Sequence, residues 1–326
     1  MHLDRLKRRE FITLIGGTAA AWPLAARAQQ PTMPVIGYLH AQSADRSPHL
    51  AAAFHKGLAE AGYAEGQNVA IEYRWGDDRE DRLASLAADL VRRQVAVIAA
   101  TGSTVSALAA KSATSTIPIV FLSGDDPVRL GLVPSLNRPS GNLTGHNLLL
   151  QAMEGKRLGL LHELVPGATP ISVLVNPNNL YVETQLKDVE DAARAISVPI
   201  NVAKAGSEQE IHAVFRSLGR LGAQALLCTA DAFFNGQREQ LITLAAHYAI
   251  PAIYQARENV LAGGLMSYGT SLLDGYRQVG IYTGRILNGA RPADLPVVQP
   301  TAFEFVINLL TAKALSLEVP PTLLAR

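Results

Sequence analysis

The chain has 326 residues, 48% of them hydrophobic, with 29 Lys plus Arg against 28 Asp plus Glu. So even a balance supplies no excess positive field for a polyphosphate backbone, so nucleic acid is not an expected partner. A single cysteine, Cys228, excludes an internal disulfide, and the length calls for two cores rather than one.

The first segment, LKRREFITLIGGTAAAWPLAARAQQ over residues 6–30, has the build of an export signal. Its start is basic, its apolar run from Phe11 to Leu24 is too short and Gly-rich to span a bilayer, and Ala26-Arg27-Ala28 offers the small residues a signal peptidase accepts. Arg8-Arg9-Glu10-Phe11-Ile12 resembles the twin-arginine class, with Lys7 and Thr13 departing from its commonest pattern. Residues 1–28 are therefore read as a signal peptide cleaved after Ala28, and the mature chain is expected in the periplasm. Its removal takes away five basic and two acidic residues and leaves 24 against 26.

From Pro34 the sequence alternates short apolar runs with stretches of helical period. Strands are predicted at 35–39, 69–73, 95–100, 117–122, 171–175, 200–203, 225–228, 252–254, 264–267 and 303–307. Most are near-continuous apolar runs, as strands covered on both faces require. Helices are predicted at 50–61, 82–93, 105–112, 154–164, 182–196, 208–221, 238–248 and 272–287. In 82–93 the residues Leu83, Leu86, Leu90 and Val91 make one apolar stripe. Such a βαβ chain builds parallel sheets. About four strands precede residue 145 and about four follow it, which reads as two doubly wound units rather than one sheet. The Gly-rich stretches 141–145 and 263–269 are candidate passages between them. Cys228, in the run Ala225-Leu226-Leu227-Cys228, is expected to be a small buried hydrophobe.

In open parallel sheets ligands bind beyond the carboxyl ends of the strands, beside helix N-termini. The segments there are Thr101-Gly102-Ser103-Thr104, Ser123-Gly124-Asp125-Asp126-Pro127, Asn176-Pro177-Asn178-Asn179-Leu180-Tyr181, Thr229-Ala230-Asp231-Ala232-Phe233-Phe234 and, after the strand ending at Tyr254, Gln255-Ala256-Arg257-Glu258. Free N–H groups at helix starts favour an anion such as a carboxylate. Ser103, Asp126, Asn179 and Asp231 are equally suited to capping helices. The aromatic neighbours Tyr181, Phe233, Phe234 and Tyr254 are not needed for capping, and are read either as ligand walls or as core.

Catalytic chemistry is missing. The eight histidines show no metal spacing, no Cys pair suits zinc, and the loop after Ala100 lacks the glycines of a dinucleotide fingerprint and the Gly-Lys of a P-loop. No GxSxG elbow occurs. His40 and His146 are the histidines placed to meet a ligand. Neither an enzymatic activity nor a cofactor is expected.

Six stretches carry a resemblance to a known family: MPVIGYLH; FHKGLAEAGYAEGQNVAIEYRW; the run from Leu86 to Gly145; KRLGLLHELVPGA; VLVNPNN; and GGLMSYGTSLLDGYRQVGIYTGRILNGARPADLPV. They resemble the substrate-binding proteins of ABC transporters with the type I periplasmic-binding fold, in the family that includes tryptophan and tyrosine binders. The resemblance implies an α/β fold of two doubly wound, Rossmann-like lobes joined by a three-strand hinge, residues 29–145 plus 268–296 forming one lobe and 146–267 plus 297–326 the other. It implies a monomer that closes on a small ligand (an amino acid, an aromatic acid or a related carboxylate) and presents it to a membrane permease. Ser103, Thr104, Ser123 and Asp126 would serve the first lobe, and Asn176, Asn179, Tyr181, Asp231, Phe233 and Tyr254 the second. For an amino acid, Ser103 and Thr104 would take the carboxylate and Asp231 the ammonium. The same fold also serves ligand sensors that feed a signalling partner and the effector domains of repressors; an exported α/β enzyme is the rival of another class. N-terminal sequencing of the exported protein is expected to begin at Gln29, and a start at Met1 or Met33 would contradict the export reading.

Overall fold

The computed structural model describes residues 33–325, so the leader expected over 1–28 and its cleavage point lie outside the described residues. Strands β1 (Val35–His40), β2 (Ala70–Trp75), β3 (Val97–Thr101), β4 (Ile119–Ser123) and β5 (Leu143–Asn147) form one parallel sheet in the order β2-β1-β3-β4-β5. Helices α1 (Pro48–Glu60), α2 (Leu83–Arg92) and α3 (Thr104–Ala113) connect its first four strands. Every residue of β3 and β4 is buried, because both faces are covered. Alternate residues feed different cores: Val97, Ala99 and Val120 join one cluster with Tyr38 and Phe54, while Ile98, Ala100, Ile119 and Phe121 join another with Leu83 and Leu90.

The second half repeats the plan. After α4 (Glu154–Leu164) come β6 (Ile171–Val175), α5 (Val182–Ala195), β7 (Ile200–Lys204), α6 (Glu208–Leu221) and β8 (Leu226–Cys228). Then follow α7 (Ala232–Gly236), α8 (Arg238–His247), β9 (Ala252–Tyr254), α9 (Arg257–Leu261), β10 (Met266–Gly269), α10 (Leu272–Leu287), β11 (Glu304–Ile307), α11 (Leu309–Ala314) and α12 (Pro321–Leu324). The second sheet runs β11-β10-β9-β8-β6-β7, parallel except where β11 pairs antiparallel with β10. Cys228 is buried in a cluster beneath α6 and α8, as its apolar run predicts.

The chain passes between the two sheets three times. β5 ends the first sheet and leads to α4 on the second; β10 leads to α10, which packs on α1; and Val298, bridged to His146 beside β5, leads to β11. Residues 143–147 form an edge strand of the first sheet, two residues past the boundary placed at 145. Its sequence, LTGHN, lacks an apolar run, but pairing with β4 and a hydrogen bond from Thr144 Oγ1 to Leu295 O at 2.6 Å satisfy its polar groups in a buried setting. The return helix docks at two glycines: a Cβ on Gly57 would lie 1.8 Å from Arg277 O, and one on Gly280 2.2 Å from Phe54 O.

One ion pair ties the crossings together. Glu154 and Arg157, one turn apart on α4, are both fully buried, with Arg157 Nη2 3.0 Å from Glu154 Oε1. Arg157 Nη2 also donates to Leu150 O at 2.6 Å in the first crossing, and its Nη1 to Tyr268 O at 3.0 Å in the second. Glu154 Oε1 accepts from Ala230 N at 2.7 Å and from Gln185 Nε2 at 3.0 Å. Buried charges are stable only when paired and saturated in this way, and removing one partner strands the other. Arg157→Met is expected to cost about 3–5 kcal/mol in urea unfolding; a loss below about 1 kcal/mol would show that the pair does not hold the crossings.

Candidate functional site

Between the sheets lies a cavity of about 780 Å³, counting its solvent-open mouth. It is lined by the segments that follow β1, β2, β3, β4, β5, β6, β8, β9 and β10, the carboxyl-end crevice of two open sheets.

The loop from β3 into α3 approaches closest to β1. Gly102 holds φ +87, and a Cβ there would lie 2.6 Å from Ala41 N, so glycine is required. Ser103 then caps α3, its Oγ accepting from Ser106 N. The first N–H groups of an α-helix such as α3 have no i−4 partner, and Ser103, Thr104 and Val105 at this helix start line the cavity. Thr104 Oγ1 donates to Asp125 Oδ2 at 2.8 Å, and Ser123 Oγ donates to Asp125 O at 3.0 Å. Asp125 is buried, and its Oδ1 has no hydrogen-bond partner among the described residues. Burial pushes its carboxyl up to about 6, against the pull of the Thr104 hydrogen bond.

From the second lobe comes Asp231. Its Oδ1 accepts from Asn176 Nδ2 at 3.1 Å, Phe233 N at 2.8 Å and Phe234 N at 3.4 Å, and its Oδ2 from Asn179 Nδ2 at 2.8 Å. It caps α7 and lines the cavity at once. Burial raises its pKa, opposed by these four donors.

Of the residues singled out in the sequence, Ser103, Thr104, Asn179, Tyr181 and Asp231 line the cavity. Ser123 and Asn176 stand behind it, holding Asp125 and Asp231. Asp126 is exposed and caps a turn, accepting from Val128 N and Arg129 N. Phe233 packs against the second lobe's core and Tyr254 is buried within it, so the aromatic surface of the cavity comes from Tyr181 and Tyr276 instead. His40 and His146 are buried away from the cavity lining, and burial pushes them down to about 3 and about 4. His40 serves Tyr276, sharing a 2.9 Å hydrogen bond with its hydroxyl.

Sequence reading missed Gln42, Glu80, Gln151 and Tyr276. Glu80 sits in the charged run GDDREDR after β2, which reads as solvated surface. It lines the cavity while staying exposed, and burial of its inner side and then the charge of Asp231 push it up to about 7, tempered by solvent screening. Two contacts bridge the lobes across the cavity: Gln42 Nε2 donates to Ala232 O at 2.7 Å, and Arg46 Nη2 to Glu208 Oε1 at 2.9 Å.

A family model described as ABC transporter substrate binding protein matches residues 43–326. Over 270 residues the sequence is 29% identical to a tyrosine-binding protein of Clostridioides difficile strain R20291, covering 81% of this chain and 76% of that one. A conserved domain protein of Vibrio cholerae has a solved structure 24% identical at TM-score 0.82, covering 90% of this chain and 98% of that one. An ABC domain from Streptococcus pneumonia in complex with L-Trp is 23% identical at TM-score 0.78, with the same coverage, 90% and 98%. These two likenesses show the fold, two parallel-sheet lobes of the periplasmic-binding type.

Because Asp125 titrates near 6 when folded and near its ordinary 3.8 when unfolded, the folded chain holds more protons between those values. Its contribution to stability is full below about pH 4 and lost as the pH rises through about 6, a change of up to about 3 kcal/mol. Thermal melts of the ligand-free protein from pH 4.5 to 8 are expected to show Asp125→Asn flattening that decline; parallel curves would contradict the burial of a strained carboxyl.

Proposed function

The chain belongs to the ABC transporter substrate-binding protein family, and from that premise we propose that it captures an amino acid, with an aromatic side chain as first choice, and hands it to a membrane permease. The observation that carries this reading is the pairing, in one cavity, of a helix N-terminus with acids and tyrosine rings drawn from both lobes. The free N–H groups at Ser103 and Thr104 suit an α-carboxylate, the carboxylates suit an α-ammonium, and Tyr181 and Tyr276 suit a flat side chain.

In this reading neither lobe alone makes enough contact, so the ligand draws the two together by its greater affinity for the closed form. The three crossings serve as the hinge, and Gln42 and Arg46 hold the closed mouth. In this reading residues 1–28 serve as the export signal, and the protein meets the permease from the periplasmic side. The relatives support this setting, and no helix among the described residues is long and apolar enough to cross a membrane. No catalytic step is assigned, the named relative being a binding protein.

Thermal-shift titration with L-tyrosine, L-tryptophan and L-phenylalanine is the test. A ligand at about a hundredfold over its Kd should stabilise the fold by about 2.7 kcal/mol. Arg46→Ala, which removes an exposed bridge, should weaken that ligand by no more than about fivefold, and less at high salt. No shift with any amino acid, or an Arg46→Ala protein that binds more tightly, would contradict capture by closure.

A further inference from the structure

The cavity is unbalanced in charge. Glu80 and Asp125 from the first lobe and Asp231 from the second line it, and none of the described lining residues is Lys, Arg or His. It is also short of donors. Asp125 Oδ1, Gln151 Oε1 and Gln255 Oε1 belong to buried side chains that line the cavity, and none has a partner among the described residues. A buried acceptor without a donor costs free energy until a ligand supplies one.

Asp231 is largely spent. Three donors converge on its Oδ1 and one on its Oδ2, leaving little room for a ligand. The carboxylates with open positions are Glu80 and Asp125, and both line the cavity beside the start of α3, where Thr104 donates to Asp125. We infer that Glu80 and Asp125 form the ammonium subsite of this cleft, so that it admits ligands carrying a protonated amine and rejects carboxylic acids that lack one. The inference rests on the cleft being the ligand site, and it assigns the whole zwitterionic head group to the first lobe, with the side chain left to Tyr181 of the second lobe and Tyr276 on the return helix.

The same charges couple ligand to closure. Glu80 and Asp125 each feel Asp231 across the cavity as a like charge. Tyr181 faces Asp125 and Glu80, and the cation acting on Asp125 and Tyr181 is Arg129, exposed and outside the lining. At neutral and higher pH an empty closed cleft therefore opposes carboxylate to carboxylate, and a bound ammonium relieves it.

Calorimetry at pH 7.5 would use the tyrosyl, indolyl and phenyl skeletons, each offered as the amino acid, the amine and the des-amino acid, against wild type, Glu80→Gln, Asp125→Asn and the cleft-filling Ala232→Trp. Every binder should carry an amine, each des-amino acid should bind about a hundredfold or more below its amino acid, and Glu80→Gln should weaken the amine-bearing ligands about tenfold. A des-amino acid that equals its amino acid, or full affinity in both Glu80→Gln and Asp125→Asn, overturns the inference while binding still lost in Ala232→Trp leaves the cleft as the site. Undiminished binding in Ala232→Trp instead removes the cleft reading itself. Small-angle scattering of the ligand-free protein supplies an arm that needs no ligand. Wild type should open as pH rises from 5.5 to 8.5 and the Glu80→Gln/Asp125→Asn double variant should stay compact; identical profiles overturn the inference.

Discussion

The buried Glu154–Arg157 pair is the constraint on which the rest of this molecule depends. Two charges with no solvent exposure are tolerated because each oxygen and nitrogen reaches a partner, and those partners are the backbone of both early crossings and the loop that carries Asp231. The pair therefore fixes where the second lobe begins relative to the passages that join it to the first. Without it the two sheets would still form, since each has its own pair of apolar clusters, but the cleft between them would lose its reference point.

From that anchor the site follows by repetition of one physical motif. A parallel strand ends, a loop turns, and a helix starts beside the space between lobes. On the first lobe this produces an anion-accepting helix start beside strained acids; on the second it produces a carboxylate already saturated by amides and backbone. The two halves are thus chemically unequal despite their common plan. That inequality is what would give a zwitterionic ligand of the proposed kind a preferred orientation in the cleft.

Much of this was legible in the sequence, for identifiable reasons. β6 and β9 were read with their observed ends because doubly covered strands are written as near-continuous apolar runs, and α6 and α10 because each has an amphipathic face and a serine cap, Ser207 and Ser271. β5 was not legible, since its burial is secured by pairing and by Thr144, not by apolar side chains. At the site, Ser103, Thr104, Asn179, Tyr181 and Asp231 were recognisable by following strands. Asp125 was hidden beside Asp126 because only the folded loop decides which of two adjacent side chains turns inward, and here Asp126 caps a turn at the surface. Tyr276 arrives from a helix far along the chain, and only tertiary docking at Gly57 and Gly280 brings it to the cleft. Phe233 and Tyr254 show the opposite failure: a ring beside a strand end is as well suited to the core, and there it went.

The central claim is that one small molecule is gripped by both lobes at once. Amide hydrogen exchange of the protein with and without saturating L-tyrosine or L-tryptophan tests it directly. The account predicts added protection in the Gly102–Ser106 and Ala230–Phe234 segments together, with protection also rising across the crossings as they are held in one arrangement. Protection confined to one lobe, or appearing away from both loops, would contradict it.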